Sequence, residues 1–433
     1  MTKPLRVGLA GLGTVGASVV RLLVQDRELL ARRGGRAIDL VRVASRTFKP
    51  DIDLGGASFD TDLGSLDTPD VDVVVELIGG EGDAGDVVET AIAAGRHVVT
   101  ANKALLAGRG NELFAAACRN GVALGYEASV AGGIPIVNAL HKGLAANRIE
   151  ALAGIVNGTS NYILTAMEED GQDFAGALAA AQRLGYAEPD PTFDVEGIDA
   201  AQKLAILAAL AFGTGIDVAG VYVEGIANVD VEDIGYAREL GFSIKHLGIA
   251  RRREDGIEAR VHPALVPESE LLAKVSGVMN AVMVHGDAVG ATLHMGPGAG
   301  GMPTASAVVA DLVELARGTL PVPAPATAEL PSLGLAGVVC PHYLKIPAID
   351  QPGVFAEVAD VLSRHRISIE AVIQRPQAIR SGEAPWVPII ILTDEVAETE
   401  VEVAVAELGN LSGVSGAIAR IRVADLSAMM LGP

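Results

Sequence analysis

Hydrophobic positions in the first 130 residues fall into two alternating rhythms. Short continuous apolar runs, "RVGLAGLG", "IDLVRVAS", "VDVVVELIG" and "HVVTAN", read as buried strands. Between them "ASVVRLLVQDRELLARR" and "VVETAIAAG" carry the 3.6-residue period of helices. Strands alternating with helices predict a parallel, doubly wound sheet of the Rossmann type over residues 1–134.

The texture changes from about residue 135 to 302. Ala-rich helical patterns at 174–184 and 199–212 mix with strand-like "EARVHPALV" and "AVMVHG", as in a separate α+β substrate-binding and dimerisation domain. "MGPGAGGMPTASAVVADLVELA" then runs a glycine loop into a helix at 303–318, which would complete the first domain. Prolines 321, 323, 325 and 331 mark 319–336 as a stiff, extended linker. The remaining 337–433 read strand, helix, strand, strand, helix, strand, a small βαββαβ module of ferredoxin-like type. No internal repeat recurs at a fixed period.

A length of 433 residues suits two or three domains. Half of the residues are hydrophobic but only 3% are aromatic, so Ala, Val, Leu and Ile must fill the cores. A net charge of -21 argues against a nucleic-acid partner or an anionic membrane, because no basic excess exists to meet phosphates. Cys118 and Cys340 lie too far apart in sequence to suggest a disulfide framework, so a reducing cytoplasm is expected. The start, with Lys3 and Arg6 before an apolar stretch, mimics a signal peptide until glycines 8, 11, 13 and 16 break it. The longest apolar run, 204–213, is too short for a bilayer.

Candidate chemistry begins at "GLGTVG". Gly11, Gly13 and Gly16 follow a strand and open a helix at Thr14 and Val15, the context a dinucleotide-binding turn requires. Gly11 permits the turn, Gly13 the approach of a pyrophosphate, and Gly16 close helix–strand packing. An NAD site would place a carboxylate at the end of the second strand, 38–44, but Asp39 is at its wrong end. Ser45, Arg46, Thr47 and Lys49 stand at the right end, which suits the 2′-phosphate of NADP; an ordinary basic surface turn is the plainer alternative. Thr100, Asn102 and Lys103 end another strand, where open α/β sheets bind ligands. Glu127 precedes the Gly132–Gly133 turn, an arrangement that could offer oxygen-only ligation to a hard cation. Gly158, Thr159, Ser160 and Asn161 could cap a helix or hold a substrate carboxylate. The histidines do not cluster, and HExxH, paired CxxC and GxSxG are absent from the sequence.

The densest charge lies in "GYAEPDPTFDVEGIDAAQKLA", residues 185–205. Asp199 and Lys203 are four apart on one helix face, in line with the apolar Ile206, Leu207 and Leu210. A surface ion pair at a helix start is the bland reading. A pair facing a polar cleft is the other, because charges in line with a buried stripe are costly unless they meet each other.

This stretch closely resembles the signature of the homoserine dehydrogenase family: Ala181, Gly185, the "PDP" turn 189–191, Asp194, Gly197, Asp199 and Lys203. "GLGTVG", "VVELIGG", "TANKALLA", "EASVAGGIPI", "NGTSNYIL" and "GPGAG" resemble family segments in the family's order. The likeness covers residues 1 to about 320, and the remainder resembles the ACT module of long-form members, with "DQPGVFAEVADVL" as its loop and helix. It implies reversible NAD(P)H-dependent reduction of L-aspartate 4-semialdehyde to L-homoserine, in threonine and methionine biosynthesis. It assigns proton transfer to Lys203, its orientation to Asp199, and a place beside substrate and nicotinamide to Lys103. It further implies that Glu188 binds the substrate ammonium, with Asn157, Gly158 and Thr159 at the substrate, while Gly300 lies in a glycine loop over the cofactor. Glu127 and backbone oxygens of Val130, Gly132 and Ile134 match the family's monovalent cation site, Na+ being expected. Asp350, Gln351 and Gly353 match an ACT effector loop, with threonine as the expected amino acid and a homodimer or homotetramer as the assembly. Two other functions fit the same residues: an NADP-linked reductase of another amino-acid semialdehyde, and a non-catalytic amino-acid sensor.

Overall fold

The computed structural model describes residues 3–322, 328, 330–375, 386–424 and 426. Part of the expected linker, 323–327 and 329, lies outside the described residues, as do 376–385 of the C-terminal module. The chain forms two compact units, each threaded more than once: Met1–Gly158, Asp199–Ala219 and Val278–Leu330 in the first, and Thr159–Ile198, Gly220–Gly277 and Pro331–Pro433 in the second.

Six parallel strands organise the first unit, in the order Ser58–Asp60, Ile38–Ala44, Leu5–Ala10, Val73–Glu76, His97–Thr100 and Leu124–Gly125. This is a doubly wound sheet. Its central strands read as apolar runs because helices cover both faces. Val7, Leu9, Val73, Val75 and Val99 pack with Val19, Val20 and Leu23 of helix Thr14–Gln25 and with Val308 and Leu312 of helix Gly301–Arg317. The single long helix expected after the glycine loop is two, Thr14–Gln25 and Arg27–Gly34. Asp26 leaves helical backbone at ψ 19°, and its carbonyl accepts from Leu30 to start the second. The unit also holds antiparallel strands Ile149–Ile155, Met279–Gly286 and Gly290–Pro297, with the helix Ile198–Phe212.

The second unit pairs Phe242–Arg252 with Ile257–Pro267 over their full length. The first of these strands escapes sequence reading because it is buried on both faces, Lys245 and His246 included, so no alternation shows. Lys245 is accommodated by Glu168, 3.6 Å away. The C-terminal module has the expected βαββαβ order: His342–Ile349, Val354–Arg364, Ile369–Gln374, Trp386–Thr393, Glu398–Leu408 and Ala419–Val423. Its antiparallel sheet runs in the order last, first, third, second, and Leu344, Ile346, Val358, Ile389, Ile391 and Val401 form its core. On its other edge the last strand pairs in parallel with Ile257–Pro267, Arg422 opposite Ala264. Buried Arg422 donates to Glu398 at 2.9 and 2.6 Å and to Glu224 at 2.8 Å, so its charge is met on both sides.

Candidate active site

In the first unit the strand Leu5–Ala10 delivers the chain to Gly11, whose φ of 96° belongs to the region that favours glycine. A Cβ at Gly11 would lie 2.7 Å from the Leu77 carbonyl oxygen, and one at Gly16 would lie 2.1 Å from that of Gly11. Gly13 faces open space and caps the helix Thr14–Gln25 with no side-chain hydrogen bond, leaving the first amides for an anion. Thr14 and Val15 form the helix start, Val15 packing on the core. Gly11, Gly13, Ser45, Arg46 and Lys49 line one cavity of about 540 Å³. The Ser45 hydroxyl accepts from Leu12 at 3.2 Å, which ties the end of the second strand to the glycine turn. The second glycine loop reaches the same helix: Gly300 has φ 119°, and a Cβ on Gly301 would meet the Thr14 and Ser18 side chains at 3.1 and 2.9 Å.

A buried network shapes the neighbouring strand ends. Glu76 accepts from Ile78 and Gly79 amides at 2.7 and 3.1 Å and from the Thr100 hydroxyl at 2.6 Å. Thr100 accepts in turn from the Asn102 amide, and the Asn102 side chain caps the helix Lys103–Asn120 through Leu105 while donating to the Gly80 carbonyl at 2.6 Å. Lys103 is thereby held at a fixed helix start. Sequence reasoning gave Glu76 no role. Its signal was available, since a carboxylate ending the run "VVVE" stands at a strand's carboxyl end, where such sheets place ligand crevices.

Asp199 is the centre of the polar cluster. It is buried, and it accepts from Lys203 at 2.7 Å and from Asn157 at 2.7 Å, with Lys103 at 3.1 Å. Lys203 also donates to the Val156 carbonyl at 2.8 Å. Burial pushes the Asp199 carboxyl up, but the Lys203 and Lys103 ammonium groups outweigh it and hold the carboxyl below its ordinary range. The pair Asp199–Lys203 is therefore enclosed, and the surface-pair reading does not hold. One carboxylate thus fixes two ammonium groups that would otherwise repel.

The second unit carries the acidic turn. Glu188 is exposed there, its carbonyl accepting from Gln182 at 3.1 Å. Asp190 accepts from the Thr192 amide and shapes the turn. Thr159 donates to the Tyr186 carbonyl at 2.9 Å and Ser160 to the Asp194 carbonyl at 3.0 Å, so hydroxyls from the start of helix Gly158–Asp170 pin both sides of the segment. The tyrosine rings of 162 and 186 meet edge-on at 5.1 Å between centroids.

Near the end of the first unit's sheet, Glu127 is buried and accepts from the amides of Val137 and Asn138 at 2.9 and 2.7 Å and from the Asn138 side chain at 2.7 Å. Left-handed backbone at Ala131 (φ 54°) and Gly132 (φ 29°) bends the intervening loop, in which Val130 and Ile134 are buried. The Ile134 carbonyl accepts from Ile136. Asp311, from helix Gly301–Arg317, accepts from the Glu127 amide at 3.0 Å. Burial, then the charge of Glu127, pushes the Asp311 carboxyl up to about 8. Burial likewise raises Glu127 against the pull of its amide donors. The charge of Glu127 thus adds to the cost of ionising Asp311 in this buried setting. Asp311 lies 184 positions from Glu127, and no local pattern announced it. Among the described residues there is no group of three or more His, Cys, Asp or Glu side chains able to hold a metal, and no helix is long and apolar enough to cross a membrane.

In the C-terminal module Asp350, Gln351 and Gly353 form an exposed loop between the strand His342–Ile349 and the helix Val354–Arg364. Gln351 donates to Ile349, and Gly353, with φ 100°, caps the helix.

Comparison with known proteins adds to this geometry. A family model described as "Homoserine dehydrogenase" matches residues 135–313, one described as "Homoserine dehydrogenase, NAD binding domain" matches 11–127, and one described as "ACT domain" matches 342–413. The homoserine dehydrogenase of Pseudomonas aeruginosa is 49% identical over 436 residues, covering 98% of this chain and 100% of the relative. That of Neisseria gonorrhoeae is 47% identical, covering 98% and 99%. The crystal structure of a homoserine dehydrogenase from Thiobacillus denitrificans superposes with a TM-score of 0.92 at 50% identity, covering 98% of this chain and 99% of that one.

Proposed function

We propose that this chain, which belongs to the homoserine dehydrogenase family, reduces L-aspartate 4-semialdehyde reversibly to L-homoserine with NADPH, as a step towards threonine and methionine. The observation that carries the reading is the enclosed Asp199 with Lys203 and Lys103 upon it. When bound, the nicotinamide dinucleotide supplies the hydride. Negative charge then grows on the aldehyde oxygen, and Lys203 gives it a proton from a position that Asp199 and the Val156 carbonyl define. Lys103 adds a second positive charge beside the reacting oxygen. Asn157 keeps Asp199 turned towards the lysines. Glu188 takes the substrate ammonium, and Gly158 with the Thr159 segment takes its carboxylate; the tie from Thr159 to Tyr186 supports a substrate role for that turn.

Gly11, Gly13, Thr14, Val15 and Gly16 hold the pyrophosphate, Thr100 and Gly300 border the nicotinamide end, and Arg46 and Lys49 meet a 2′-phosphate. The shared cavity of Gly11, Gly13, Arg46 and Lys49 favours NADP over NAD. A monovalent cation, Na+, would be held by Glu127 and the backbone oxygens of Val130, Gly132 and Ile134. The oxygen-only donor set and the buried side chain of Glu127 suit such an ion. Threonine acting at Asp350, Gln351 and Gly353 would regulate the enzyme, in a homodimer or homotetramer. For domain organisation we keep a dinucleotide-binding domain at 1–134 completed by helix 303–318, a catalytic domain at 135–302, a linker at 319–336 and a regulatory module at 337–433.

Initial rates with aspartate semialdehyde and each reduced nucleotide, with and without threonine, test these statements together. Semialdehyde-dependent oxidation of NADPH is expected, faster than that of NADH. No such oxidation with either nucleotide would end the reading.

A further inference from the structure

Asn280 is one residue into the strand Met279–Gly286, opposite Gly296 of one neighbouring strand and next to Ala281, which faces Ile155 of the other. Those neighbours lead directly into two glycine loops of the first unit. One runs through Asn157 and Gly158, the other through Gly298 to Gly301. The Asn280 side chain lies between them. A Cβ on Gly298 would stand 2.2 Å from its Nδ2, and one on Gly158 would stand 3.4 Å from its Oδ1. Only glycine at 298 leaves room for this amide.

Yet the amide uses neither end. Asn280 is buried, and neither its Nδ2 nor its Oδ1 has a hydrogen-bond partner among the described residues. A buried amide is normally met, because leaving a donor and an acceptor dry costs stability that an apolar side chain of the same size would not. A strand position between Met279 and Ala281 could carry Leu in its place. The two loops it touches are not neutral ground. Asn157 orients Asp199, and Gly301 packs against the first turn of the anion-binding helix.

We infer that Asn280 is a cofactor-binding residue: when the dinucleotide enters, the Gly298–Gly301 loop lifts from its side chain, and the freed amide pairs with the nicotinamide carboxamide, donating from Nδ2 and accepting at Oδ1. A planar group missing one donor and one acceptor is matched by another planar amide. The substrate's ammonium and carboxylate are full charges that a neutral buried amide would serve poorly. Glycine at 298, 300 and 301 gives the loop the backbone freedom to move. The peptide groups of the displaced loop are the other amides within reach, and the test separates them from the carboxamide.

The inference rests on the proposed dehydrogenase reading, so the full-length parent is first assayed for semialdehyde-dependent NADPH oxidation; an inactive parent refutes that reading, not this one. With an active parent, Asn280→Leu is compared in melting temperature without nucleotide and in affinity for NADPH and for its reduced 3-acetylpyridine analogue. The nucleotide-free variant is expected to melt above the parent, while NADPH binds about ten-fold more weakly, the loss of one to two good hydrogen bonds. The parent should prefer NADPH over the analogue, and the variant should not. Asn280→Ala, which adds no bulk, is read by the same affinity ratio should Asn280→Leu fold poorly. A lower melting temperature with unchanged NADPH affinity would make Asn280 a packing residue and overturn the inference. Equal weakening for both nucleotides, with the preference kept, would assign the amide to the loop's own peptides and overturn the carboxamide pairing.

Discussion

Replacing Lys203 by Ala removes the group on which the proposed proton transfer depends, and its cost can be worked out in two currents. For stability, the change deletes hydrogen bonds to Asp199 at 2.7 Å and to Val156 at 2.8 Å. Asp199 is not abandoned, since Asn157 at 2.7 Å and Lys103 at 3.1 Å remain. Charged hydrogen bonds contribute about 1.5–3 kcal/mol each, and the carboxylate keeps two of its three partners, so a loss of about 2–4 kcal/mol is expected. That leaves most molecules folded if the parent has a stability of about 5–15 kcal/mol. For catalysis, loss of a positioned acid is worth about 10²–10⁴-fold in kcat. The two effects separate in one experiment. Turnover is followed by NADPH absorbance, NADPH binding by fluorescence, and folding by urea titration. Unchanged NADPH affinity with kcat reduced about a hundred-fold or more supports the assignment. Turnover within about three-fold of the parent would show that Lys203 is not the acid, whatever the stability does.

Asp311→Asn should stabilise the protein at pH 8 and change it little near pH 4. The folded carboxyl is raised from 3.8 to about 8, so its neutral form is favoured on folding; the associated stability is present below pH 4 and lost as pH rises towards 8. Urea midpoints in sodium-free buffer at both pH values check this, and an equal difference at the two would contradict the burial argument. Glu188→Gln should raise KM for semialdehyde about ten-fold or more with NADPH binding intact, because a charged partner of the ammonium is lost; an unmoved KM takes Glu188 out of the substrate site. Glu76→Gln cannot accept equally at both ends of its network, so the Ile78–Gly80 turn and the Lys103 helix start should loosen. Weaker NADPH binding with a smaller change in semialdehyde KM is expected, and full NADPH affinity would reduce Glu76 to packing.

Much of this molecule is visible in the linear chain because the relevant physics acts over a few residues. The parallel, doubly wound character of the first unit's sheet follows from short apolar runs broken by helical periods, and strand 38–44 appears at the expected place as Ile38–Ala44. Gly11, Gly13 and Gly16 owe their visibility to sterics between near neighbours: a Cβ at 16 strikes the oxygen of 11. Asp199 and Lys203 meet because one helical turn separates them. What stayed hidden depends on groups that only folding assembles. The chain enclosed the Asp199–Lys203 pair rather than exposing it by bringing Lys103 and Asn157 to it from 96 and 42 positions away. The break at Asp26 and the doubly buried strand Phe242–Arg252 reflect their surroundings, not their own pattern. Asp311 beside Glu127 and Asn280 beneath Gly298 join segments with no shared period, and desolvation, which raises the one and makes the other costly, exists only once the surrounding chain has excluded water.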